Sequence, residues 1–328
     1  LLKFYYNKLS MNPELHDKIE FEIIHNCLDF SFDENFHELA NNGLTKMEIQ
    51  LLKDELLKLT NNIIINSNQI FNEDELALKK LTHNRNKINI NTGQKYDFKI
   101  ALNMAKQLLE DVNEFGIKQF CRAARMAFIG RRIIFSSENK NHIDINLINN
   151  FWASFPTIVT EIKYDLNKLN NNRMDLNSFL DIYGHLRPGT YDITSLPYEK
   201  FHGYIINEST NKKTKNNTPN DRKFLQKDFE DKLDAICLKN KFGFNGKELL
   251  EFSKKATQLR EKFKFEYTKN ISLALELIAQ AGDSKGYSRE QLSNLDMDSL
   301  FIPANNSSIN LGELKNIWDS IIMARISE

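Results

Sequence analysis

Arg260 and Lys264 stand four residues apart in a segment rich in helix formers, and that spacing projects both side chains from one helix face about one turn apart. Two cations so placed make a clamp for an anion. Phosphoryl transfer suits such a clamp, because it asks the protein mainly for positioning and for neutralisation of charge on the equatorial oxygens. On a solvated face the same pair would only meet Glu261 and Glu266 in surface ion pairs.

A second concentration of chemistry is the run Tyr183-Gly-His-Leu-Arg-Pro-Gly-Thr-Tyr-Asp-Ile-Thr-Ser195, which follows an apolar helix ending near Ile182. Gly184 and Gly189 permit backbone angles and close approaches that other residues resist, and Pro188 stiffens the path between them. His185, Arg187, Tyr191 and Asp192 would then be presented rigidly. His185 has an ordinary pKa near working pH and can serve as a hydrogen-bond donor or general base. The alternative is a structural turn in which His185 and Arg187 cap the free carbonyls of the preceding helix. Arg122 and Arg125 form a third candidate, set among Phe120, Cys121, Ala123, Ala124, Met126, Ala127 and Phe128. A guanidinium in apolar surroundings is costly to bury unless it meets an anion. That anion is either internal, with Glu20, Glu22 and Asp29 as candidates, or a bound carboxylate taken by the planar fork.

Helices must position these groups. Thr45 to Glu48, Ser288 to Gln291, Asn245 to Glu248 and Asn310 to Glu313 each pair a capping side chain with a Glu or Gln ahead of helical apolar spacing. In the first of these helices Leu44, Met47, Leu51, Leu52 and Leu56 fall on one stripe while Lys46, Asp54 and Lys58 face away. Further helices are expected near 14–25, 74–82, 97–110, 115–136, 145–169, 175–183, 222–239, 247–280 and 311–325. Strand patterns are scarce, so the fold class is mainly α, a multi-helix domain with one Gly/Pro-rich loop. Residues 136–143 and 207–221 are polar breaks, the second a flexible surface loop whose Lys212, Lys213 and Lys215 read as solvated.

The whole chain sets bounds. Its 328 residues are expected to form one large domain. Lys plus Arg equals Asp plus Glu at 44 each, so no global field draws the chain to nucleic acid or an anionic membrane. Apolar runs such as Ile63 to Ile65 fall far short of the roughly 20 residues a membrane helix needs, and a cytoplasmic setting is expected. Cys27, Cys121 and Cys237 show no paired spacing, and His16, His25, His37, His83, His142 and His202 show no metal-site spacing, so no metal is expected. There is no glycine-rich loop to cradle a nucleotide. The opening at Leu1, without methionine or a leader-like stretch, reads as a fragment of a longer chain.

The Tyr183–Ser195 run resembles the Y-G-H-R-x-P-G-E/T-Y-D-I segment of the phosphoenolpyruvate-synthase-like dikinases, a group that includes the rifampin phosphotransferases. Met11-Asn-Pro-Glu-Leu-His-Asp-Lys-Ile-Glu-Phe-Glu22 with Cys27-Leu-Asp-Phe30 is similar to the opening of their central region. Phe120-Cys-Arg-Ala-Ala-Arg-Met-Ala-Phe128 is similar to their F-A-R-x-A-R-x-A-F helix, and Arg260-Glu-Lys-Phe-Lys-Phe-Glu-Tyr-Thr-Lys-Asn270 to their A-R-E-x-x-K-F-x-F-T-x-N helix. In that family an ATP-grasp domain passes the β-phosphoryl of ATP to a histidine on a swivelling domain, which delivers it to an acceptor. AMP and phosphate are released.

Neither an ATP-grasp domain nor a phosphohistidine loop is seen in this sequence. The resemblance therefore implies that residues 1–328 are the central, acceptor-binding domain of a three-domain enzyme, inactive alone, with ATP and Mg2+ used only by the full-length protein. It also implies that Arg260 and Lys264 lie by the transferred phosphoryl group, with His185 catalytic and Arg122, Arg125, Arg187, Tyr191, Asp192 and Glu20 binding substrate. The opening segment looks most like polysaccharide-cluster members, the L-glutamine kinases of capsular phosphoramidate synthesis among them, which points to L-glutamine as acceptor. An arginine would take its α-carboxylate, and Asp192 or Glu20 its ammonium. Other readings are a phosphoenolpyruvate synthase or other small-molecule phosphotransferase, or a helical module that only docks the swivelling domain.

Overall fold

The computed structural model describes residues 11, 26–34, 36–41, 43–88, 94–140, 143–201, 226–305 and 309–327. Glu20, the helix expected over 14–25 and the loop 207–221 lie outside them. Among the described residues every regular element is helical, as the mainly α expectation has it. The longer helices are α1 (Lys46–Ile65), α2 (Ser67–Ile88), α3 (Phe98–Val112), α4 (Lys118–Phe135), α5 (Ile145–Ala153), α6 (Ile158–Asn170), α7 (Leu176–Tyr183), α8 (Gln226–Lys239), α9 (Gly246–Asp283) and α10 (Leu311–Ile326).

All four expected helix starts are closed by their capping boxes. Thr45 with Glu48, Ser288 with Gln291 and Asn310 with Glu313 exchange side-chain and backbone hydrogen bonds. Asn245 N donates to Glu248 at 2.8 Å, and Glu248 N donates back to Asn245 at 2.9 Å. Four expectations need correction. The helix drawn over 74–82 runs over all of Ser67–Ile88. The single helix expected over 145–169 is two, α5 and α6, because Pro156 has no N–H to continue the first and Thr157 caps the second. In α1, Met47 and Leu51 are exposed, and the buried face is Ile49, Leu56, Thr60 and Ile64. Within the stretch read as a polar break, Ser137–Lys140 forms a short helix, and Ser137 and Ile143 are buried.

The chain divides into two compact units, each built from three stretches of sequence. The first comprises Leu1–Glu73, Arg122–Pro156 and Asn217–Arg260. Its core is aromatic: Phe71 stacks on Phe252 at 6.0 Å, and Phe151 meets Phe229 edge-on at the same separation. Gly130 in α4 lets the helix lie against α9, since a Cβ there would fall 2.3 Å from the Ser253 hydroxyl and 3.1 Å from its Cα. Thr60 is buried without penalty because it accepts from Leu28 N at 2.8 Å and donates to Leu56 O at 2.7 Å. Cys27 and Cys237 are buried here, and burial pushes both thiols up to about 12.

The second unit comprises Asp74–Cys121, Thr157–Asn216 and Glu261–Glu328. Its main core sets α3 against the C-terminal half of α9 and α10, with Trp318 buried between Phe98 at 5.9 Å and Tyr287 at 5.3 Å. A smaller cluster of Phe179, Tyr183, Tyr198 and Phe265 holds the hairpin of α6 and α7 and delivers the chain to the Gly/Pro loop. Between α3 and α4 the chain makes one π-helical turn, Asn113–Ile117. The third cysteine, Cys121, is exposed.

Candidate functional site

The loop after α7 folds back on itself within the second unit. Gly184 N closes α7 by donating to Leu180 O at 2.7 Å, and the returning strand of loop is tied by Tyr198 N to Leu186 O at 2.8 Å and Glu199 N to Gly184 O at 3.0 Å. A Cβ on Gly184 would sit 2.4 Å from Leu180 O, so this corner requires glycine. Asp192 builds a tight turn, its carboxylate accepting from Thr194 N at 2.8 Å and Thr194 Oγ1 at 2.7 Å, which holds it below the usual carboxylate range. Tyr191 is exposed, and its hydroxyl lies 3.0 Å from that of the buried Tyr267.

Arg187 is the strut of the loop. Its side chain is 2 % exposed and bonds Ser195 O at 2.8 Å, Ser272 Oγ at 2.7 Å and Glu276 at 3.2 Å, leaving Nε with no partner among the described residues. Burial pulls its pKa down, and the Glu276 charge works against that pull. His185 meets Phe265 edge-on at 4.8 Å. Burial first, then the positive charge of Lys269, lowers its pKa to about 3, against an opposing pull from Glu266. The imidazole is therefore neutral at working pH, and its Nε2 is buried with no hydrogen-bond partner among the described residues.

Beside it lies an ionic network on α9. Glu266 takes Arg85 at 2.7 Å and Lys269 at 2.8 Å, and Arg85 also donates to Asn270 Oδ1 at 2.9 Å. Burial opposes ionisation of Glu266, and the hydrogen bonds from Lys269 and Arg85 still hold its carboxyl below the ordinary value. Glu266 thus has cations other than the Arg260 and Lys264 offered to it by the surface-pair reading. Glu261 accepts from Val159 N at 3.3 Å, at the start of α6.

Among the other candidates, Arg260 ends the first unit, with its guanidinium 5.2 Å from the Phe128 ring centre and its Nε buried without a partner among the described residues. Lys264 is exposed, in the second unit, on the same helix. Arg122 and Arg125 belong to the first unit and are exposed. The apolar residues around them, such as Ala123, Met126 and Ala127, turn inward while the arginines turn outward. Asp29, considered for them, pairs with Arg132 at 2.7 Å.

The second unit thus brings together His185, Arg187, Tyr191 and Asp192. Sequence reasoning missed Ser272, Glu276, Arg289 and Arg85. One signal was present: Ser272 and Glu276 are polar residues four apart inside the apolar run Ile271–Ile278, which asks for a buried partner. Among the described residues there is no group of three His, Cys, Asp or Glu able to hold a metal ion. Among them, too, no helix is long and apolar enough to cross a membrane. No family model, curated protein or solved structure matches the chain.

Proposed function

We propose that the chain is the acceptor-binding platform of a cytoplasmic phosphoryl-transfer enzyme, taking a small amino-acid acceptor, L-glutamine first among them. On this reading it completes the site at which a phosphohistidine domain of the same polypeptide delivers the phosphoryl group. Mg2+ and ATP are then used by the ATP-grasp domain of the parent enzyme, which releases AMP and phosphate. The observation that supports the reading is the loop 183–195. It resembles the family segment, and it holds rigidly a neutral His185 whose Nε2 has no partner among the described residues.

A nitrogen that protonates only near about 3 is a weak proton acceptor at pH 7 and a good hydrogen-bond partner for an uncharged group. We therefore assign His185 the orientation of the acceptor's nucleophilic group. Within the second unit Tyr191 and Asp192 then flank the acceptor and Lys264 supplies a cation for the phosphoryl oxygens, while the family resemblance alone puts forward Arg260 as the second cation and Arg122, Arg125 and Glu20 as further substrate-binding candidates.

Calorimetric titration of the chain with L-glutamine tests this. Saturable binding of L-glutamine, lost in His185→Ala, is expected, together with no release of AMP from ATP by the chain alone. Absence of binding by any amino acid or keto acid, with the swivelling domain still captured, would transfer the assignment to a helical docking module.

A further inference from the structure

Three cations converge on one carboxylate beneath the loop. Glu276 of α9 takes Arg187 at 3.2 Å on one oxygen and Arg289 at 2.7 Å on the other, and Lys200 closes on that second oxygen. The cations come from the loop, from the stretch that follows it and from the short helix Arg289–Leu292. Two of them also hold loop carbonyls: Arg187 donates to Ser195 O and Arg289 to Ile193 O, each at 2.8 Å. The Glu276 side chain is only 13 % exposed, so these attractions act at low effective dielectric and are little screened by salt. Burial opposes its ionisation, and the hydrogen bonds from Arg289 and Lys200 overcome that opposition. Without this carboxylate, only Glu199, which feels Arg187 and Lys200, would remain to offset three like charges.

We propose that Glu276 is the positioning residue of the loop: its carboxylate draws Arg187, Lys200 and Arg289 together and so fixes where His185 is presented. The inference rests on the reading of the loop as the acceptor-presenting element. The route from Glu276 to His185 is mechanical. The charged groups that bear on His185 are Lys269, Glu266 and Arg85, none of them in the Glu276 cluster. Arg187 follows His185 by two residues, so a shift of the strut moves the imidazole with it.

The test is an NMR titration of His185 with hydrogen exchange of loop amides, in the wild type, Glu276→Gln and Arg289→Met. Wild-type His185 is expected not to titrate between about pH 5 and 8. In Glu276→Gln, which keeps the shape and loses the charge, His185 should begin to titrate in that window. The amides of Asp192, Ser195 and Glu199 should exchange roughly 100-fold faster or more. Arg289→Met, at the rim of the cluster, should give the same change to a lesser degree and decides the matter if Glu276→Gln does not fold. A silent His185 with protected loop amides in the folded variant overturns the proposal. Calorimetry separates the two readings. Wild type that binds no acceptor removes the functional reading while the loop measurements still stand, and Glu276→Gln that binds L-glutamine as tightly as wild type overturns the positioning role.

Discussion

Arg187 shows how a residue suited by type to ligand binding can be engaged by the fold. Its guanidinium donates to two backbone carbonyls, a serine hydroxyl and a carboxylate, all within the second unit. Truncation would leave Glu276 short of its most buried partner and Ser195 O unpaired. We expect Arg187→Ala to cost about 3–5 kcal/mol in chemical denaturation, the usual scale for breaking a buried ion pair from one side. Arg187→Lys should recover only part of that, because an ammonium on a flexible stem cannot reach the Ser195, Ser272 and Glu276 partners at once. A loss below about 1 kcal/mol, the scale of an exposed pair, would mean that the strut is dispensable and the loop is held by its backbone bonds alone.

At the scale of the helix, packing turns on small residues. Gly130 faces Ser253, and an added methyl would collide with both the Ser253 side chain and its Cα. Only the hydroxyl can rotate aside, so Gly130→Ala should destabilise the chain by about 1–3 kcal/mol in urea melts, despite alanine's better helix propensity. Ser253→Gly in the same background should restore part of the loss, and no restoration would show that the clash lies elsewhere. Helix starts were legible in the sequence because a capping box is local, and all four expected boxes are formed. The buried face of α1 was not legible, because apolar Met47 and Leu51 face solvent while Thr60 turns inward to a backbone N–H at Leu28, a partner that spacing along α1 cannot reveal. The same limit hid Glu276, whose partners Arg187 and Lys200 are distant in sequence. Which polar residues of the loop lay together was readable from their adjacency, but whether Arg187 supports the loop or faces a ligand depends on those distant contacts.

For the molecule as a whole, these groups set a response to acid. The folded pKa of His185, about 3 against an ordinary 6.5, is depressed, so the unfolded chain binds a proton in that window that the folded chain refuses. The stability this group contributes is therefore full above pH 6.5 and falls as pH drops toward about 3, with a slope of at most about 1.4 kcal/mol per pH unit. Glu266 and Glu276, held below their ordinary values, add a loss of the same sign lower down, beneath the ordinary carboxylate range. Denaturation midpoints of His185→Gln should decline less than wild type between pH 6.5 and 5, and parallel curves would show that His185 does not govern that decline. The cysteines carry a last consequence, for watching the molecule work. Cys121 is open to solvent while Cys27 and Cys237 are sealed in the first unit with thiols pushed up to about 12, so a maleimide dye at neutral pH marks the natural sequence at one place. Once that place is blocked, the slow uptake of a second and third label becomes a clock for the opening of the first unit.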